Sequence, residues 1–536
     1  MELNSEPLKR EGNSVISVIT SPETSRANGL QQSPETRSLQ PATSPWERNG
    51  FERYRLVLLA LTILAGAWFR FHLLAAKSFW FDEGFSVGVA RLGWTDFVQN
   101  WRHEGAMVVY YLLLHFWMKL GISEFFIRSL SVVFALGTIP VIYALGVRLF
   151  QRRVGLIAAV LLAFNAFSVR YSQEVRGYAL LVLLIALSSW FFLRGIEERA
   201  SRDWWLYTLC ATLVVYNHLY GILVVEAQAL SVIFLPRSQL DRAHFFRSLR
   251  FFGYALLPLA PVVWRCATQR TNWIPPLNGH KLADFFRMLA GNGGNLLLAA
   301  CSLAWLVAAM TGLGTVARQP RSAEAWRYAF LLIGFAFPIL AVVTMCHFTS
   351  VFLARYLIVC LPASVLLAAA GISRCRPTWL RIAFLVVIAT LSVGGTFSYY
   401  RADFDIARDD WRSASQYLLA NAHPGDGIFF YTAPGRMTFE YYRLLAGRPA
   451  NDPLVVYPAS GEQITYRDFL VLPLAEVLQT PFAQPKRVWL FLNGHRAGER
   501  MDMGSEAMCA WYGRRYKLLS KHTVDRLDLL LYERVP

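Results

Sequence analysis

The chain has 536 residues, of which 55% are hydrophobic and only 17% are charged, and its mean hydropathy is +0.34. Soluble domains carry about a quarter charged residues, so this composition excludes a purely soluble protein and indicates a polytopic membrane protein with one modest soluble part. In a membrane protein, an excess of Lys and Arg in the cytoplasmic loops is the first explanation for the net charge of +17. We therefore expect no nucleic-acid partner. The more specific alternative is a basic pocket that binds a lipid phosphate.

The first 52 residues are rich in Ser, Pro, Glu, Asn and Arg and have no apolar period, which predicts a disordered cytoplasmic tail. Apolar runs that approach the roughly 20 residues needed to span a bilayer follow. They lie near 54–75, 127–149, 155–170, 177–195, 204–219, 221–236, 251–265, 294–316, 328–346, 356–373 and 380–398. The aromatic stretch 107–120 is predicted to be a helix in the membrane interface and not a span.

Arginines in alternate loops predict the orientation. If the N-terminus is cytoplasmic, the loops near 148–153, 194–202, 237–250, 318–327 and 374–381 fall on the same side and are rich in Arg. This is a positive-inside pattern. It places both polar clusters described below, and residues 399–536, outside the cytoplasm.

The final segment has a different composition, which predicts a small α/β domain on the outer face. Helices are expected at 409–420 and 438–445, and strands at 427–431, 487–492 and 527–532. The fold class is therefore a polytopic α-helical membrane protein with about eleven transmembrane helices (53–398) and a small extracytoplasmic α/β domain (399–536). Seven scattered cysteines without a CxxC pair give no support for a zinc site.

Two adjacent acids, Asp82 and Glu83, follow the first apolar run. Charge is expensive in a chain built for lipid, so an acidic pair at the mouth of a helix bundle suggests function. Neighbouring helix positions diverge by about 100°, so one acid is expected to be a base and the other a structural or metal-contacting group. The alternative is that Asp82 caps a short helix at 85–92.

A second polar cluster, Tyr171 to Tyr178, separates two later runs. Ser172 is a plausible N-cap, and Gln173 and Glu174 suit a first helical turn. Arg176 does not, because a cation in a first turn opposes the helix dipole. We expect its partner to be Glu174, one of the first acid pair, or a ligand phosphate.

Cations on the outer side are exceptions to the positive-inside pattern. Arg70 and Lys77 lie near the outer end of the first run, and Arg355, followed by Tyr356, starts a later one. Several such cations at one surface predict an anionic ligand, and phosphate is the natural candidate. Further candidates for binding substrate or phosphate on this side are His103, Glu104, His218 and, from the second polar cluster, Tyr171, Gln173, Glu174 and Tyr178.

Taken together, these segments resemble the GT-C class of membrane glycosyltransferases, in particular the group related to protein O-mannosyltransferases and lipid A aminoarabinose transferases (family 39-like). The resemblance covers Trp-Phe-Asp-Glu at 80–83, the segments 110–117 and 128–150, Tyr-Ser-Gln-Glu at 171–174 with Arg176 and Tyr178, and Arg-Tyr-Leu at 355–357. Asp-Trp-Arg at 410–412 and Pro-Gly-Asp at 424–426 resemble the start of the outer domain in bacterial members. Many relatives carry His-Pro-Pro where this chain has Ala106, Met107 and Val108.

The resemblance implies a polyprenyl-phosphate sugar donor, an active site outside the cytoplasm, and a catalytic acid that maps to Asp82. We therefore expect an inverting transferase of the inner membrane, with a periplasmic C-terminal domain and an unidentified acceptor (glycan, lipid or protein). No cofactor is required by the sequence, and Glu83 or Glu104 is the candidate contact for a divalent ion. The alternatives are a lipid or solute transporter and a non-catalytic polyprenyl-phosphate-binding protein.

Overall fold

The computed structural model describes residues 45–268, 274–402, 409–449, 452–458, 474–479, 485–493 and 501–535; for 45–53, 104 and 266–268 it describes the backbone only. Contacts group the chain from Tyr54 onwards into one compact unit. Of the predicted disordered tail, 1–52, the part up to residue 44 lies outside the described residues. Residues 45–52 form the start of helix α1 instead.

Helices dominate the described part up to residue 402. Their bounds are α1 Pro45–Phe71, α2 Phe81–Arg91, α3 Trp94–Glu104, α4 Val108–Trp117, α5 Glu124–Leu149, α6 Arg152–Phe164, α7 Ala166–Ser172, α8 Tyr178–Glu198, α9 Ser201–Asn217, α10 Gly221–Ser231, α11 Arg242–Leu256, α12 Ala260–Thr268, α13 Gly279–Ala290, α14 Gly294–Arg318, α15 Ala323–Met345, α16 Leu361–Ser373 and α17 Thr378–Arg401. Short 3₁₀ turns at Val232–Phe234, Leu257–Leu259 and Tyr356–Cys360 join some of them.

Among the described residues, seven helical segments are long and apolar enough to cross a membrane, and an eighth is present if the bent pair α6–α7 forms one span. The predicted number of about eleven is not confirmed, because the runs near 204–219, 221–236 and 251–265 form shorter or interrupted helices. The stretch predicted to lie in the interface is α4, whose ten residues are too few to span. The central spans are α8 and Tyr356–Ser373, which are 72% and 83% buried, whereas α1 and α17 are each only 22% buried.

The bend between α6 and α7 has an identifiable cause. Asn165 caps α7 by accepting a hydrogen bond from the backbone N–H of Ser168 at 3.0 Å, and the two helices meet at 58°. The break frees carbonyl groups of Leu162 and Ala163, and the buried Arg70 guanidinium donates to them at 3.2 and 2.9 Å. A broken helix is tolerated in a membrane protein where its freed backbone groups find such partners.

The two ends of the bundle differ in charge. Tyr178 begins α8 beside α2, whereas the far end of α8 is tied to the far end of α5 by Arg148, which pairs with Glu197 and Glu198 at 2.6 and 2.7 Å. The arginine-rich loops 148–153, 194–202 and 374–381 thus lie at the end opposite Asp82. This separation supports the predicted orientation, which stays a prediction.

The C-terminal part contains a mixed sheet. Its described elements are α18 Trp411–Asn421, β1 Gly427–Tyr431, α19 Gly435–Leu445, β2 Leu454–Tyr457, α20 Leu474–Gln479, β3 Arg487–Asn493, α21 Met503–Gly513, β4 Tyr516–Val524 and β5 Leu527–Arg534. The strand order is β2-β1-β3-β5-β4; β1 is parallel to β2 and β3, and β5 is antiparallel to β3 and β4. All five elements predicted here are present, and β2, β4, α20 and α21 are additional.

Alternating side chains of this sheet pack into two different cores. Ile428 and Phe430 of β1 join the large core that also contains the bundle, whereas Phe429 packs with Met508 and Tyr512 of α21. A strand with both faces covered is expected to be apolar throughout, as Gly-Ile-Phe-Phe-Tyr is. Because the contacts do not separate this part from the bundle, the domain boundary at 399 stays a prediction.

Helix α19 packs directly on α2. A Cβ atom on Gly84 would lie 2.0 Å from Thr438 Oγ1 and 2.7 Å from Thr438 Cα, so the two backbones are in close approach. The Tyr442 hydroxyl accepts from the Phe79 backbone N–H at 2.8 Å and donates to Glu124 at 2.6 Å. The C-terminal part therefore holds the helix that carries the acid pair.

Candidate active site

Buried polar contacts hold the segment between α1 and α2. Arg128, on α5, donates to the carbonyl groups of Leu74, Lys77 and Ser78 at 2.9, 2.8 and 3.1 Å. The helix then starts at Phe81 with Trp80 as its N-cap residue. Asp82 is in the first turn and is not the cap, so the alternative role predicted for it, an N-cap, is wrong.

Glu83 is the centre of a buried ion pair. Its carboxylate is fully buried and receives two hydrogen bonds from Arg128, at 2.8 and 2.7 Å. It also accepts from the backbone N–H groups of Val175 at 3.0 Å and Trp80 at 3.4 Å. These contacts tie α2, α5 and the segment after α7 together and make Glu83 a positioning residue in this geometry.

Asp82 faces a different environment, because its side chain is 20% exposed. Its Oδ2 atom lies 3.7 Å from Nη2 of Arg176 and 3.5 Å from Nη1 of Arg355. Three of the predicted site residues, from three distant parts of the sequence, therefore meet at one carboxylate oxygen. Of the partners expected for Arg176, Asp82 is the one that lies next to it in the structure.

Arg176 has further polar neighbours. Its Nη1 donates to the hydroxyl groups of Tyr111 at 3.2 Å and Ser86 at 3.4 Å. Burial alone would lower the pKa of this guanidinium, but the phenol of Tyr111 and the Asp82 carboxylate raise it well above its usual value. The group is a permanent cation.

Arg355 is enclosed by aromatic rings. Its guanidinium carbon lies 5.8 Å from the ring centres of both Trp80 and Tyr356. Burial would lower its pKa too, but Tyr178 and Asp82 raise it above the ordinary value. Aromatic faces stabilise a cation without neutralising it, so Arg355 stays available to an anion.

Tyr178 and His218 lie beside these residues. The Tyr178 hydroxyl is buried and has no hydrogen-bond partner within the part of the chain that the structure describes. The His218 ring packs on Tyr356, with centres 4.8 Å apart, and its Nδ1 accepts from the Tyr220 N–H at 3.2 Å. Burial and the two guanidinium groups lower the pKa of His218 to about 3, so it contributes a neutral ring and no charge.

Other predicted phosphate ligands have structural partners. Arg70 is buried and bonded to the α6 carbonyls described above. Lys77 donates to the Tyr399 carbonyl at 2.6 Å, and the Gln173 amide donates to the carbonyls of Arg70 and His72 at 2.9 and 2.8 Å. These contacts do not bring the three side chains to Asp82.

Glu174 and Tyr171 lie behind the site. Glu174 is fully buried, 3.5 Å from Nε of Arg170. The Tyr171 ring packs edge-on against Tyr178 with centres 4.9 Å apart. Both pack behind the residues around Asp82 and support their positions.

His103 and Glu104 end α3. The His103 ring is in contact with the Arg265 guanidinium. The Glu104 side chain lies outside the described residues. The predicted participation of these two residues remains a prediction.

Contact with a divalent ion is the other role that the sequence suggests for Glu83 or Glu104. Within the described ranges, no three or more His, Cys, Asp or Glu side chains are grouped so as to hold a metal ion. Both oxygens of the Glu83 carboxylate accept hydrogen bonds from Arg128, so its surroundings fit a guanidinium better than a metal ion.

Sequence reasoning missed three residues that shape the site: Ser86, Tyr111 and Arg128. Ser86 lies four positions after Asp82 and therefore on the same helix face. Tyr111 looked like one more aromatic residue of an interface helix. Arg128 lies 45 positions after Glu83, at the start of an apolar run. Nothing in the sequence indicated that it pairs with Glu83.

The helical bundle and the site at its end define the class of protein: a multi-pass membrane protein with the fold of GT-C glycosyltransferases. Residues 105–264 match the family model described as dolichyl-phosphate-mannose-protein mannosyltransferase. The fold is similar to that of ArnT from Cupriavidus metallidurans in the apo state, with 12% identity, 91% of this chain and 98% of that chain covered and a TM-score of 0.55.

The crystal structure of the same ArnT bound to undecaprenyl phosphate matches equally well, with 12% identity, coverage of 90% and 98% and a TM-score of 0.56. No curated protein sequence matches this chain. The resemblance to GT-C glycosyltransferases predicted from the sequence motifs is confirmed. At 12% identity the ArnT match shows the fold alone.

Proposed function

We propose that this protein transfers a sugar from a polyprenyl-phosphate-linked donor to an extracytoplasmic acceptor, with inversion at the anomeric carbon. The observation that carries the proposal is the meeting of Asp82, Arg176 and Arg355 at one end of a fold that, in ArnT, holds undecaprenyl phosphate. The site thus combines a candidate base with two permanent cations.

The two arginines suit a phosphate that changes charge during the reaction. The donor is a phosphodiester with one negative charge, and the leaving polyprenyl phosphate is a monoester that gains a second. Cations aimed at this developing charge stabilise the transition state more than the ground state. Arg176 and Arg355, about 3.5 to 3.7 Å from a shared oxygen, are arranged to bind one small anionic group.

Asp82 is the group proposed to accept the proton. The acceptor X–H attacks the anomeric carbon, its proton passes to the Asp82 carboxylate, and the bond between that carbon and the phosphate oxygen breaks with its electron pair staying on the phosphate. A general base needs access to substrate; Asp82 is partly exposed, whereas Glu83 is buried and fully engaged. We expect the phenol groups of Tyr111 and Tyr178 to donate hydrogen bonds to phosphate or sugar oxygens.

Mass spectrometry of lipid retained by the purified protein tests the donor class, and a transfer assay with the retained lipid tests catalysis. We expect a polyprenyl phosphate, with or without sugar, and transfer that consumes the sugar-bearing form. Retained polyprenyl phosphate without any transfer would favour the non-catalytic binding protein. Bulk phospholipid alone, with no response to added polyprenyl phosphate, would contradict the proposal.

A further inference from the structure

A large basic cavity lies at the end of the bundle opposite Asp82. Its volume is about 590 Å³, and it is bordered by the last residue of α5, the start of α6, the start of α15 and the connection between α16 and α17. Since α5 has 26 residues, it separates the two sites by roughly 39 Å at 1.5 Å per residue. The arginines that line this cavity are Arg153, Arg327, Arg374, Arg376 and Arg381.

The charge of the cavity is not neutralised from within. Of the described residues that line it, Glu324 is the one carboxylate, and it is paired with Arg374 at 3.3 Å. Arg153 and Arg376 form no ion pair with any residue in the described ranges. Arg327 Nη2 lies 3.7 Å from Glu197, which does not line the cavity, and Arg327 Nε is buried without a hydrogen-bond partner among the described residues. A positive-inside bias explains how many arginines face this side, but it does not explain why five of them surround a single cavity.

The surroundings of the cavity distinguish a lipid from a free anion. Next to Arg381, the side chains of Trp379, Leu380 and Ile382 are 71%, 42% and 54% exposed at the start of α17, a helix whose surface is largely unburied within the protein. Exposed apolar side chains of this kind suit acyl chains, and Trp is favoured at the headgroup level of a bilayer. Phosphate and acyl chains would thus meet complementary surfaces side by side.

We propose that this cavity binds the phosphate headgroup of an anionic phospholipid, in the leaflet opposite the one that presents the sugar donor. Arg153 and Arg376 supply the free cations, and Arg374, oriented by its 2.7 Å hydrogen bond to the Tyr328 hydroxyl, closes the cavity from the α16 side. Basic pockets between membrane helices recognise lipid headgroups in this manner. The site does not depend on the reaction proposed above.

The test uses the full chain in detergent, with binding of phosphatidylglycerol, cardiolipin and phosphatidylcholine measured by native mass spectrometry. The double substitution Arg153→Gln with Arg376→Gln removes both unpaired charges and breaks no described ion pair. We expect it to weaken binding of the two anionic lipids by about tenfold or more, with phosphatidylcholine binding unchanged. The matched control is Arg318→Gln with Arg321→Gln, an exposed pair at the same end that does not line the cavity.

An equal loss in both double variants would overturn the proposal, because general surface charge would then explain lipid binding. Inorganic pyrophosphate provides the second arm. If it displaced the lipid from the parent protein at concentrations comparable to those of the lipid itself, the site would be one for a soluble anion, and the lipid assignment would be wrong.

Discussion

Asp82 and Glu83 are neighbours in the chain, yet their carboxylates have opposite surroundings. Glu83 is buried against Arg128, and Asp82 opens towards Arg176 and Arg355. The 100° step between adjacent helix positions produces this division. We therefore expect substitution of Glu83 to affect folding and substitution of Asp82 to affect the reaction.

Asp82→Asn should preserve folding and donor binding but remove proton acceptance. Loss of a general base typically lowers the rate by about 10²–10⁴-fold. The measurement is single-turnover sugar transfer, with thermal unfolding as the folding check. Transfer close to the parent rate would show that another group accepts the proton, and Glu104 would be the next to test.

Glu83→Gln is expected to lower the stability of the folded protein, because it leaves the buried Arg128 charge without its charged partner. Breaking a buried ion pair typically costs about 3–5 kcal/mol. The expected result is a lower unfolding midpoint and a low yield of folded protein. If Glu83→Gln were as stable as the parent but inactive, Glu83 would have to act on substrate directly.

Arg176→Gln and Arg355→Gln should each weaken polyprenyl-phosphate binding by about tenfold to a hundredfold, since a charge-assisted contact contributes about 1.5–3 kcal/mol. Equilibrium lipid binding is the measurement, and Arg102→Gln, an exposed cation on α3, is the control. Binding equal to the parent in both site variants would make these arginines structural partners of Asp82 alone.

Among the elements, the pair α2 and α19 determines where Asp82 is placed. Glycine at position 84 allows the two helices to touch, and Tyr442 bonds both the segment before α2 and Glu124 at the start of α5. The guanidinium of Arg412 adds contacts to Glu124 and to the Ala75 carbonyl, the latter at 2.9 Å. We therefore expect changes on α19 to affect a reaction centred on α2.

Gly84→Ala should separate α2 from α19, because the added methyl group meets Thr438 backbone as well as side chain. Overpacking of this kind typically costs about 1–3 kcal/mol. We expect a lower unfolding midpoint together with weaker donor binding. Gly93→Ala is the control, since no atom lies within 4 Å of a Cβ there; equal behaviour of the two variants would argue against the close packing.

Tyr442→Phe should leave the buried Phe79 N–H without a partner. It also removes one of the two hydrogen bonds that Glu124 Oε1 accepts, the other coming from Arg412 Nε. An unsatisfied buried group costs about 1–3 kcal/mol. Thermal unfolding and transfer rate are measured together, with Tyr417→Phe on α18, whose ring stacks on His522, as the comparison. A Tyr442→Phe protein with parent stability and rate would remove α19 from the positioning of Asp82.

For the whole molecule, the sequence predicted most of the bundle and the central part of the sheet, and its errors have physical causes. The strands β1, β3 and β5 were predictable because most of their side chains, on both faces of the sheet, are apolar. Edge strand β4 was missed because Lys517, Lys521 and His522 interrupt its pattern. Hydropathy predicted more spans than the seven or eight helical segments of spanning length among the described residues, because it does not show where an apolar run forms a shorter helix, as the 17-residue α9 does.

The site was predictable as far as charge is informative. Arg176 and Arg355 were found as cations where the pattern disfavoured them, and Asp82 as an acid that lipid does not favour. One of the first acid pair was among the partners expected for Arg176. The sequence could not single out Asp82 or bring Arg355 to it, because that depends on the packing of α2, α8 and the start of the Tyr356–Ser373 span. Tyr111 carries no charge and gave no signal.

Orientation is a prediction for the molecule as a whole. A reporter that is active only outside the cytoplasm, fused after residue 536, should be active, and one placed in the 318–321 loop should be silent. The physical reason is the arginine excess at the end away from Asp82. The reverse result would place Asp82 on the cytoplasmic side and would contradict the proposed donor and acceptor sides together.

The triad of Asp82, Arg176 and Arg355 has a consequence for turnover. With a phosphodiester bound, two guanidinium charges face one carboxylate and one phosphate charge, and the site is electroneutral. If Asp82 takes the acceptor's proton as proposed, it becomes neutral just as the phosphate gains its second charge, so electroneutrality persists through the reaction. Once Asp82 releases that proton to solvent, the site holds one negative charge too many, and the spent lipid is repelled. Product ejection would then be driven by reionisation of the same side chain that began the reaction.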